Sequence, residues 1–147
     1  YNDRYGNIQE EKYHMMLQDI SLKKPILDLG CGTGLLKEFL KVPMVGVDIS
    51  FEMLRKSKEK NIQADLQSLP FKDNSFCTVL SFTAIQNLDS ADAALLEVKR
   101  ILKPKGTFVL TVLNKFIGRL DVVEKYFKIQ EMKVCGEDVG LVLTSDK

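Results

Sequence analysis

The sequence has few cysteines, no long apolar run and almost no net charge, and each shortage excludes a class of protein. Its three cysteines, Cys31, Cys77 and Cys135, lack the paired spacing of a zinc site or a secreted disulfide framework, so we expect a reducing, cytoplasmic compartment and no metal. No apolar segment reaches the roughly 20 residues that cross a bilayer. The polar start YNDRYGNIQEEKYHMM is unlike a signal peptide, so we expect a soluble protein with no membrane partner.

The charges are nearly balanced, with 21 basic and 20 acidic side chains and a formal net charge of +1. This balance offers no broad basic surface for nucleic acid, which argues against DNA as a partner. RNA stays open as a partner if a local patch or a basic partner subunit supplies the charge. At 147 residues, the chain is long enough for one domain with its own core, and we expect a single domain over residues 1–147.

Short apolar runs alternate with longer amphipathic segments, which is typical of an α/β domain with a mainly parallel sheet. We predict strands near residues 25–30, 44–48, 61–64 and 76–82, and a helix over residues 90–102 with apolar side chains at three- and four-residue steps. Residues 103–106, KPKG, are predicted to turn the chain into the next strand. The end of the chain predicts an antiparallel hairpin with its turn at residues 136–138.

The segment ILDLGCGTG, residues 26–34, ends a predicted strand in three alternating glycines. Glycines there let the backbone turn sharply and approach a ligand closely, although a plain strand-to-helix turn uses the same residues. Asp28 stands just before the loop and suits a cationic ligand better than a diphosphate. Asp48 ends the second predicted strand, where a carboxylate can accept hydrogen bonds from both hydroxyls of a ribose. Together, the loop and Asp48 indicate a nucleoside ligand.

With these residues the sequence resembles the class I S-adenosylmethionine-dependent methyltransferases, in particular the methyltransferase type 11 group and its small archaeal members. ILDLGCGTG resembles their first motif, VGVDIS their second, and ADLQSLPFKDNSF their third block. Residues 79–114 are similar to the blocks of the fourth and fifth strands. The resemblance implies a Rossmann-like, doubly wound sheet of seven strands, mainly parallel with an antiparallel C-terminal hairpin strand. It also implies S-adenosylmethionine as cofactor and S-adenosylhomocysteine as product.

The resemblance also implies roles for individual residues. The loop would lie against the methionine and ribose, Asp28 near the amino group, and Asp48 on the ribose hydroxyls. Other residues would meet the adenine, and a third group would border the methionine end and the substrate mouth. The loop residues are Gly30, Cys31, Gly32 and Gly34; the adenine residues are Ile49, Met53, Asp65 and Leu66; the bordering residues are Ser81, Thr83 and Gln86. Residues 1–22 would form a helical lid over the core of residues 23–147, with Tyr5 or Tyr13 above the cofactor.

Several of these residues have simpler explanations. Asp65 could instead be a solvated loop acid or the cap of a following turn, and Met53 is equally consistent with plain core packing. Tyr5 and Tyr13 suit a helix that packs through its aromatic face. Cys31 is interpreted as a small loop residue because no base adjoins it. Ser50 is predicted to be the N-cap of the helix that follows it.

The methyl acceptor is not identified by any motif. Residues 81–86, SFTAIQ, replace the Asn/Asp-Pro-Pro-aromatic sequence of relatives that methylate the exocyclic amine of adenine or the side chain of glutamine. This departure argues against those two acceptors, and both a small molecule and RNA stay open as the acceptor. No catalytic residue is assigned, and the single histidine, His14, is interpreted as exposed or packed. We expect the acceptor pocket to be open or to be completed by a partner subunit, and a homodimer is a further alternative. The alternatives are a non-catalytic cofactor-binding subunit and a nicotinamide-dependent oxidoreductase, which the glycine spacing disfavours.

Overall fold

Strands and helices alternate along most of the chain. The computed structural model describes residues 3–32, 34–56, 61–85 and 90–147. The helices are α1 (Asp3–Leu17), α2 (Leu35–Leu40), α3 (Phe51–Arg55), α4 (Asp92–Ile101) and α5 (Leu120–Glu124), with a 3-10 helix (Asn114–Arg119) before α5. The strands are β1 (Ile26–Leu29), β2 (Val45–Asp48), β3 (Asn61–Gln63), β4 (Phe76–Phe82), β5 (Leu102–Leu113), β6 (Lys128–Cys135) and β7 (Asp138–Thr144). Within these ranges, no helix combines the length and apolar character needed to cross a membrane.

The strands of the described residues form one seven-stranded sheet in the order β3-β2-β1-β4-β5-β7-β6. The first five strands in chain order pair in parallel, while β7 runs antiparallel to both β5 and β6. The chain winds outward from β1 to β3 and then returns to place β4 on the other side of β1. The predicted doubly wound sheet with an antiparallel C-terminal hairpin is therefore confirmed. Its switch point lies between β1 and β4, where ligands of such sheets bind.

Two apolar cores lie on opposite faces of the sheet because successive strand residues point to opposite sides. On one face, α1 and α2 cover side chains that include Ile26 and Leu80. On the other, α4 and α5 cover side chains that include Leu27 and Val79. The helix α4 buries Ala94, Leu95, Val98 and Ile101, which confirms its predicted apolar stripe.

The predicted turn at residues 103–106 is wrong, because these residues form an irregular start of β5. Phe76 pairs with Leu102 and Thr78 pairs with Thr107, so β5 contains extra residues between two pairs that are close together on β4. Leu102 is fully buried and keeps the strand paired before the bulge. Lys105 adopts a left-handed φ of 65°, which accommodates the extra length. The proline and glycine therefore produce a bulge inside the strand instead of ending it.

Candidate cofactor and acceptor sites

The glycine loop turns sharply at the carboxyl end of β1. Gly30, Gly32 and Gly34 have φ values of 76°, 55° and 86°, in the region that favours glycine. The backbone N–H groups of residues 30 and 31 both donate to the carbonyl oxygen of Val47, at 2.8 and 2.9 Å. A Cβ atom on Gly30 would collide with the side chain of Ala84, which follows β4. The loop is therefore held against β2 and is in contact with the segment after β4.

The carboxylate of Asp48 organises the loop from the end of β2. Its Oδ2 accepts the backbone N–H of Gly32 at 2.8 Å, and its Oδ1 accepts the backbone N–H of Ser50 at 2.9 Å. The Ser50 hydroxyl accepts the backbone N–H of Met53 at 3.3 Å, so Ser50 is the predicted N-cap of α3. Asp48 remains partly exposed beside the loop.

Asp28 lies behind the loop, in the middle of the sheet. Asp28 is only 4% exposed. Its burial, together with the nearby charge of Asp48, raises the pKa of the Asp28 carboxyl to about 7. Burial and the same two carboxylates raise the pKa of the Cys31 thiol to about 12. The thiol therefore stays protonated at neutral pH and is not an activated nucleophile.

A cavity of about 630 Å³, here called the main cavity, opens at the switch point between these elements. It is lined by residues from α1, the glycine loop, the end of β2, α3 and the end of β4. Nine of the predicted site residues line it: Tyr13, Gly30, Cys31, Gly32, Asp48, Ile49, Met53, Leu66 and Thr83. The sequence did not point to the other five: Gln9, Leu35, Lys56, Phe82 and Ala84.

The main cavity continues into a small cavity of about 220 Å³, with which it shares Ile49, Leu66 and Ala84. Asp65 lines this small cavity and is exposed, and its Oδ1 accepts the backbone N–H of Gln67 at 2.8 Å. Asp65 is therefore both a turn cap and a cavity residue.

A charged pair on α4 fixes the chain that follows Asp65. Glu97 accepts the backbone N–H of Leu69 at 2.8 Å, and Arg100 donates to the carbonyl oxygens of Leu69 and Phe71 at 3.0 and 2.7 Å. The pKa of Glu97 is lowered, chiefly by its hydrogen bond with Arg100. These bonds hold the small cavity's outer segment against the body of the protein.

Three other predicted residues, Asp28, Gly34 and Ser81, do not line either cavity. Asp28 is buried behind the glycine loop, and Gly34 is buried at its end, where α2 begins. A further predicted residue, Gln86, falls outside the described residues. Ser81 is fully buried in β4, and its hydroxyl has no hydrogen-bond partner among the described residues. The strand alternation places the Ser81 side chain on the α4 face, away from α1. The described residues also contain no group of three side chains that could hold a metal ion.

The helix α1 forms one wall of the main cavity through Tyr13. The Tyr13 ring packs against the rings of Phe39 and Phe82, with centroids 5.6 and 4.9 Å away. Tyr13 is thus a packed aromatic residue that also borders the cavity. The Tyr5 side chain lies outside the described part of the chain, and His14 is exposed and lines neither cavity.

A buried polar cluster, made of Lys12, Thr83, Thr111 and Asp138, lies beside the end of β4. The Nζ atom of Lys12 is 2.7 Å from Oδ2 of Asp138, and the two side chains are 8% and 5% exposed. The Thr83 hydroxyl donates to the same carboxylate oxygen at 2.6 Å and accepts from Lys12 at 3.3 Å. Thr111 accepts the backbone N–H of Thr83 at 2.9 Å. These bonds hold Thr83 at a left-handed φ of 55°, which is unusual for a β-branched residue.

The buried polar cluster adjoins a second cavity of about 630 Å³. This second cavity lies between α1, the end of β5 and the hairpin of β6 and β7, and it shares Gln9, Phe82 and Thr83 with the main cavity. Sequence reasoning missed Lys12 and Asp138 because they lie near opposite ends of the chain. They meet only because β7 pairs with β5 at Leu113 and Asp138.

Known proteins resemble this chain in both sequence and fold. The family model described as a methyltransferase domain matches residues 27–110, more than half of the chain. The chain is 38% identical over 122 residues to the uncharacterized protein MJ1252 of Methanocaldococcus jannaschii, a match covering 75% of the chain and 47% of that protein. It is 32% identical over 141 residues to malonyl-[acyl-carrier protein] O-methyltransferase of Hamiltonella defensa, covering 88% of the chain and 54% of that protein. The chain therefore spans about half the length of these curated relatives.

Two solved structures match nearly the whole chain. The PH0226 protein from Pyrococcus horikoshii OT3 superposes with a TM-score of 0.81 at 21% identity, over 99% of this chain and 92% of that one. The second match is a chain of the complex between the Haloferax volcanii Trm112 methyltransferase activator and the putative methyltransferase. It superposes with a TM-score of 0.77 at 17% identity, over 99% of this chain and 95% of that one. At such identities these matches show the fold. Because the family model spans the glycine loop, Asp48 and β4, the chain belongs to the methyltransferase domain family of class I S-adenosylmethionine-dependent methyltransferases.

Proposed function

We propose that the chain binds S-adenosylmethionine in the main and small cavities and transfers its methyl group to a second substrate. The observation that carries this proposal is the meeting of the glycine loop and the Asp48 carboxylate in one cavity at the switch point of the sheet. The cavity's volume lies in the range that holds a small-molecule cofactor.

Asp48 suits the ribose because its carboxylate has acceptor positions to spare. Two ionised oxygens offer about four acceptor sites, and the backbone N–H groups of Gly32 and Ser50 occupy two of them. Two sites therefore remain for the two ribose hydroxyls. The same backbone bonds hold the carboxylate in place before the ligand arrives, which lowers the entropic cost of binding.

The adenine ring would lie between apolar side chains near the junction with the small cavity. Ile49 is 61% exposed and Met53 39% exposed, although both are large apolar residues and both line the main cavity. Covering them with a flat aromatic ring would remove apolar surface from water. Leu66 would complete this contact, and Asp65 would accept the exocyclic amino group in the small cavity.

The glycine loop would face the methionine end, where the ligand is cationic. The loop lets the ligand approach the backbone at Gly30, Cys31 and Gly32, and Asp28 lies buried behind it. A positive charge nearby would favour the ionised form of the Asp28 carboxyl and lower its pKa from about 7.

Bound S-adenosylmethionine supplies an already activated methyl group, so the chain needs no covalent nucleophile. The work of the protein is to align the acceptor with the methyl carbon and to keep water out. Tyr13 and Phe82 form an aromatic wall at the cavity, and Thr83, which also lines it, would border the methionine end. We propose that α1 acts as the lid of residues 1–22 over a core of residues 23–147.

Isothermal titration with S-adenosylmethionine, S-adenosylhomocysteine and NAD tests the cofactor. We expect micromolar binding of both adenosyl ligands and none of NAD. The Asp48→Ala variant should lose affinity, while Asp121→Ala, an exposed change on α5, serves as the matched control. If neither adenosyl ligand binds, the proposed function fails.

A non-catalytic subunit would bind the cofactor without turning it over. The second cavity argues for catalysis, because it adjoins the main cavity through Phe82 and Thr83, where the methionine end would lie. A binding subunit has no use for such a space. Release of S-adenosylhomocysteine in the presence of a methyl acceptor distinguishes the two functions.

The solved complex from Haloferax volcanii contains a methyltransferase activator. This supports the proposal that the present chain also works with a partner subunit or as a homodimer. Sedimentation of the purified chain alone and with host extract fractions that stimulate turnover would test it. A monomer that is fully active by itself would exclude such a requirement.

A further inference from the structure

We infer that the second cavity is the methyl-acceptor site and that it takes a small molecule with an apolar body and an amine nitrogen. This inference rests on the proposed function. An acceptor must reach the methyl group from the methionine end of the cofactor site. Among the described residues, Gln9, Phe82 and Thr83 line both large cavities, so the second cavity opens onto that end.

The walls of the second cavity suit an apolar body. Ile8 and Met15 on α1 face Leu113 at the end of β5, with Phe82 and Cys135 nearby. Ile8 is 49% exposed and Met15 39% exposed, although both are large and apolar. A molecule placed between them would remove this apolar surface from water.

The charge of the cavity selects against anions. Its lining carries three carboxylates, Glu11, Glu137 and Asp138, and one ammonium group, Lys12. The Lys12 charge is already paired with Asp138 at 2.7 Å, which leaves two exposed carboxylates at the mouth. A phosphate or a carboxylate would meet like charge there, whereas a protonatable nitrogen would meet complementary charge.

The buried polar cluster lies where the methyl group would be transferred. Thr83 lies at the boundary of the two cavities, and its hydroxyl is bonded to Asp138. We assign Thr83 and Asp138 as positioning residues, which keep a polar surface next to the acceptor nitrogen. The Asp138 carboxylate already accepts from Lys12 and Thr83, so we assign it no part in proton transfer.

The chemistry favours this arrangement because positive charge moves during transfer. The lone pair of a neutral amine forms the new C–N bond while the C–S bond breaks, and the electron pair of that bond stays on sulfur. The charge passes from sulfur to nitrogen, and the resulting ammonium loses its proton to water. Carboxylates on the acceptor side stabilise the charge where it develops.

The test compares acceptors of one shape and different charge in the presence of saturating S-adenosylhomocysteine. The probes are 2-phenylethylamine, 2-phenylethanol, 3-phenylpropanoate and a short RNA hairpin, each measured by titration. We expect the amine to bind at least about tenfold more tightly than the acid, a difference that weakens with added salt. With S-adenosylmethionine, the amine should give an N-methyl product that mass spectrometry detects.

Matched variants locate the binding site. Glu11→Gln and Glu137→Gln should each weaken amine binding about threefold, and the double variant about tenfold, with unchanged affinity for S-adenosylhomocysteine. Glu124→Gln, an exposed change on α5, should leave the affinities for the amine and for S-adenosylhomocysteine unchanged. If S-adenosylhomocysteine binds but the acid or the RNA binds better than the amine, or no amine binds, the acceptor inference is overturned. If S-adenosylhomocysteine itself does not bind, the proposed function and this inference both fail.

Discussion

The ion pair between Lys12 and Asp138 gives the most direct stability test of the structure. The two groups are 2.7 Å apart, and their side chains are 8% and 5% exposed. At an effective dielectric constant of about 20, their attraction at that distance is about 6 kcal/mol. The cost of removing both charges from water offsets much of this, so the pair contributes little net stability as a unit.

Removing only one partner should cost far more than the pair contributes. Lys12→Met leaves the Asp138 carboxylate buried with only the Thr83 hydroxyl as its described partner, which should lower the free energy of unfolding by about 3–5 kcal/mol. In the double variant Lys12→Met/Asp138→Leu, neither charge remains buried. We expect the double variant to recover most of the loss, to within about 1–2 kcal/mol of the parent.

Urea unfolding followed by circular dichroism measures these values, since the chain has no tryptophan to report by fluorescence. Lys99→Met is the matched control, because Lys99 pairs with Asp146 at 3.1 Å on the surface, where such pairs contribute about 0–1 kcal/mol. A loss for Lys12→Met as small as that of the control would refute the burial of the pair. A double variant no more stable than Lys12→Met would refute the unpaired charge as the cause.

Three further predictions concern the candidate cofactor site. Asp48→Ala should weaken S-adenosylmethionine binding by about 1–3 kcal/mol through lost hydrogen bonds, and an unchanged titration would remove Asp48 from the site. Gly32→Val should abolish binding, because a side chain there is strained at φ 55° and its Cβ would lie 3.4 Å from Met53. Gly118→Val, whose side chain would enter open space, should leave binding unchanged. Normal binding by Gly32→Val would show that the loop is misplaced. Asp28 binds its proton up to about pH 7 in the folded state but only to about pH 4 when unfolded, so the stability of the free protein should fall by about 4 kcal/mol as the pH rises through that window. Asp28→Asn should flatten this dependence in denaturant titrations at each pH, and an equally steep profile in that variant would assign it to another group.

Local features of the sequence predicted the fold, the family and much of the main cavity. The glycine loop, Asp48 and the N-cap Ser50 are recognisable because each acts on residues close to it in the chain. The parallel order of the strands follows from the alternation of short apolar runs and helices. The assignment to class I methyltransferases is confirmed by the family match over residues 27–110.

Features that depend on strand register were not predictable. The bulge in β5 depends on Leu102 being buried next to β4, which outweighs the turn tendency of Pro104 and Gly106. The buried polar cluster depends on the pairing of β7 with β5. The close approach of Ala84 to Gly30 also depends on register, because it follows from the pairing of β4 with β1.

The helix α1 shows why the acceptor site escaped sequence reasoning. Tyr13 lines the main cavity, and Ile8, Lys12 and Met15, at helical spacing on the neighbouring stripe, line the second cavity. Gln9 lies between these two stripes and lines both cavities. The sequence drew attention to the tyrosine and therefore to a cofactor lid alone. Because Met16 lies against Gly140, where a Cβ would collide with it, β7 fixes the position of the helix. Since residues of α1 line both cavities, the proposed cofactor and acceptor sites share one wall, which this contact holds in place.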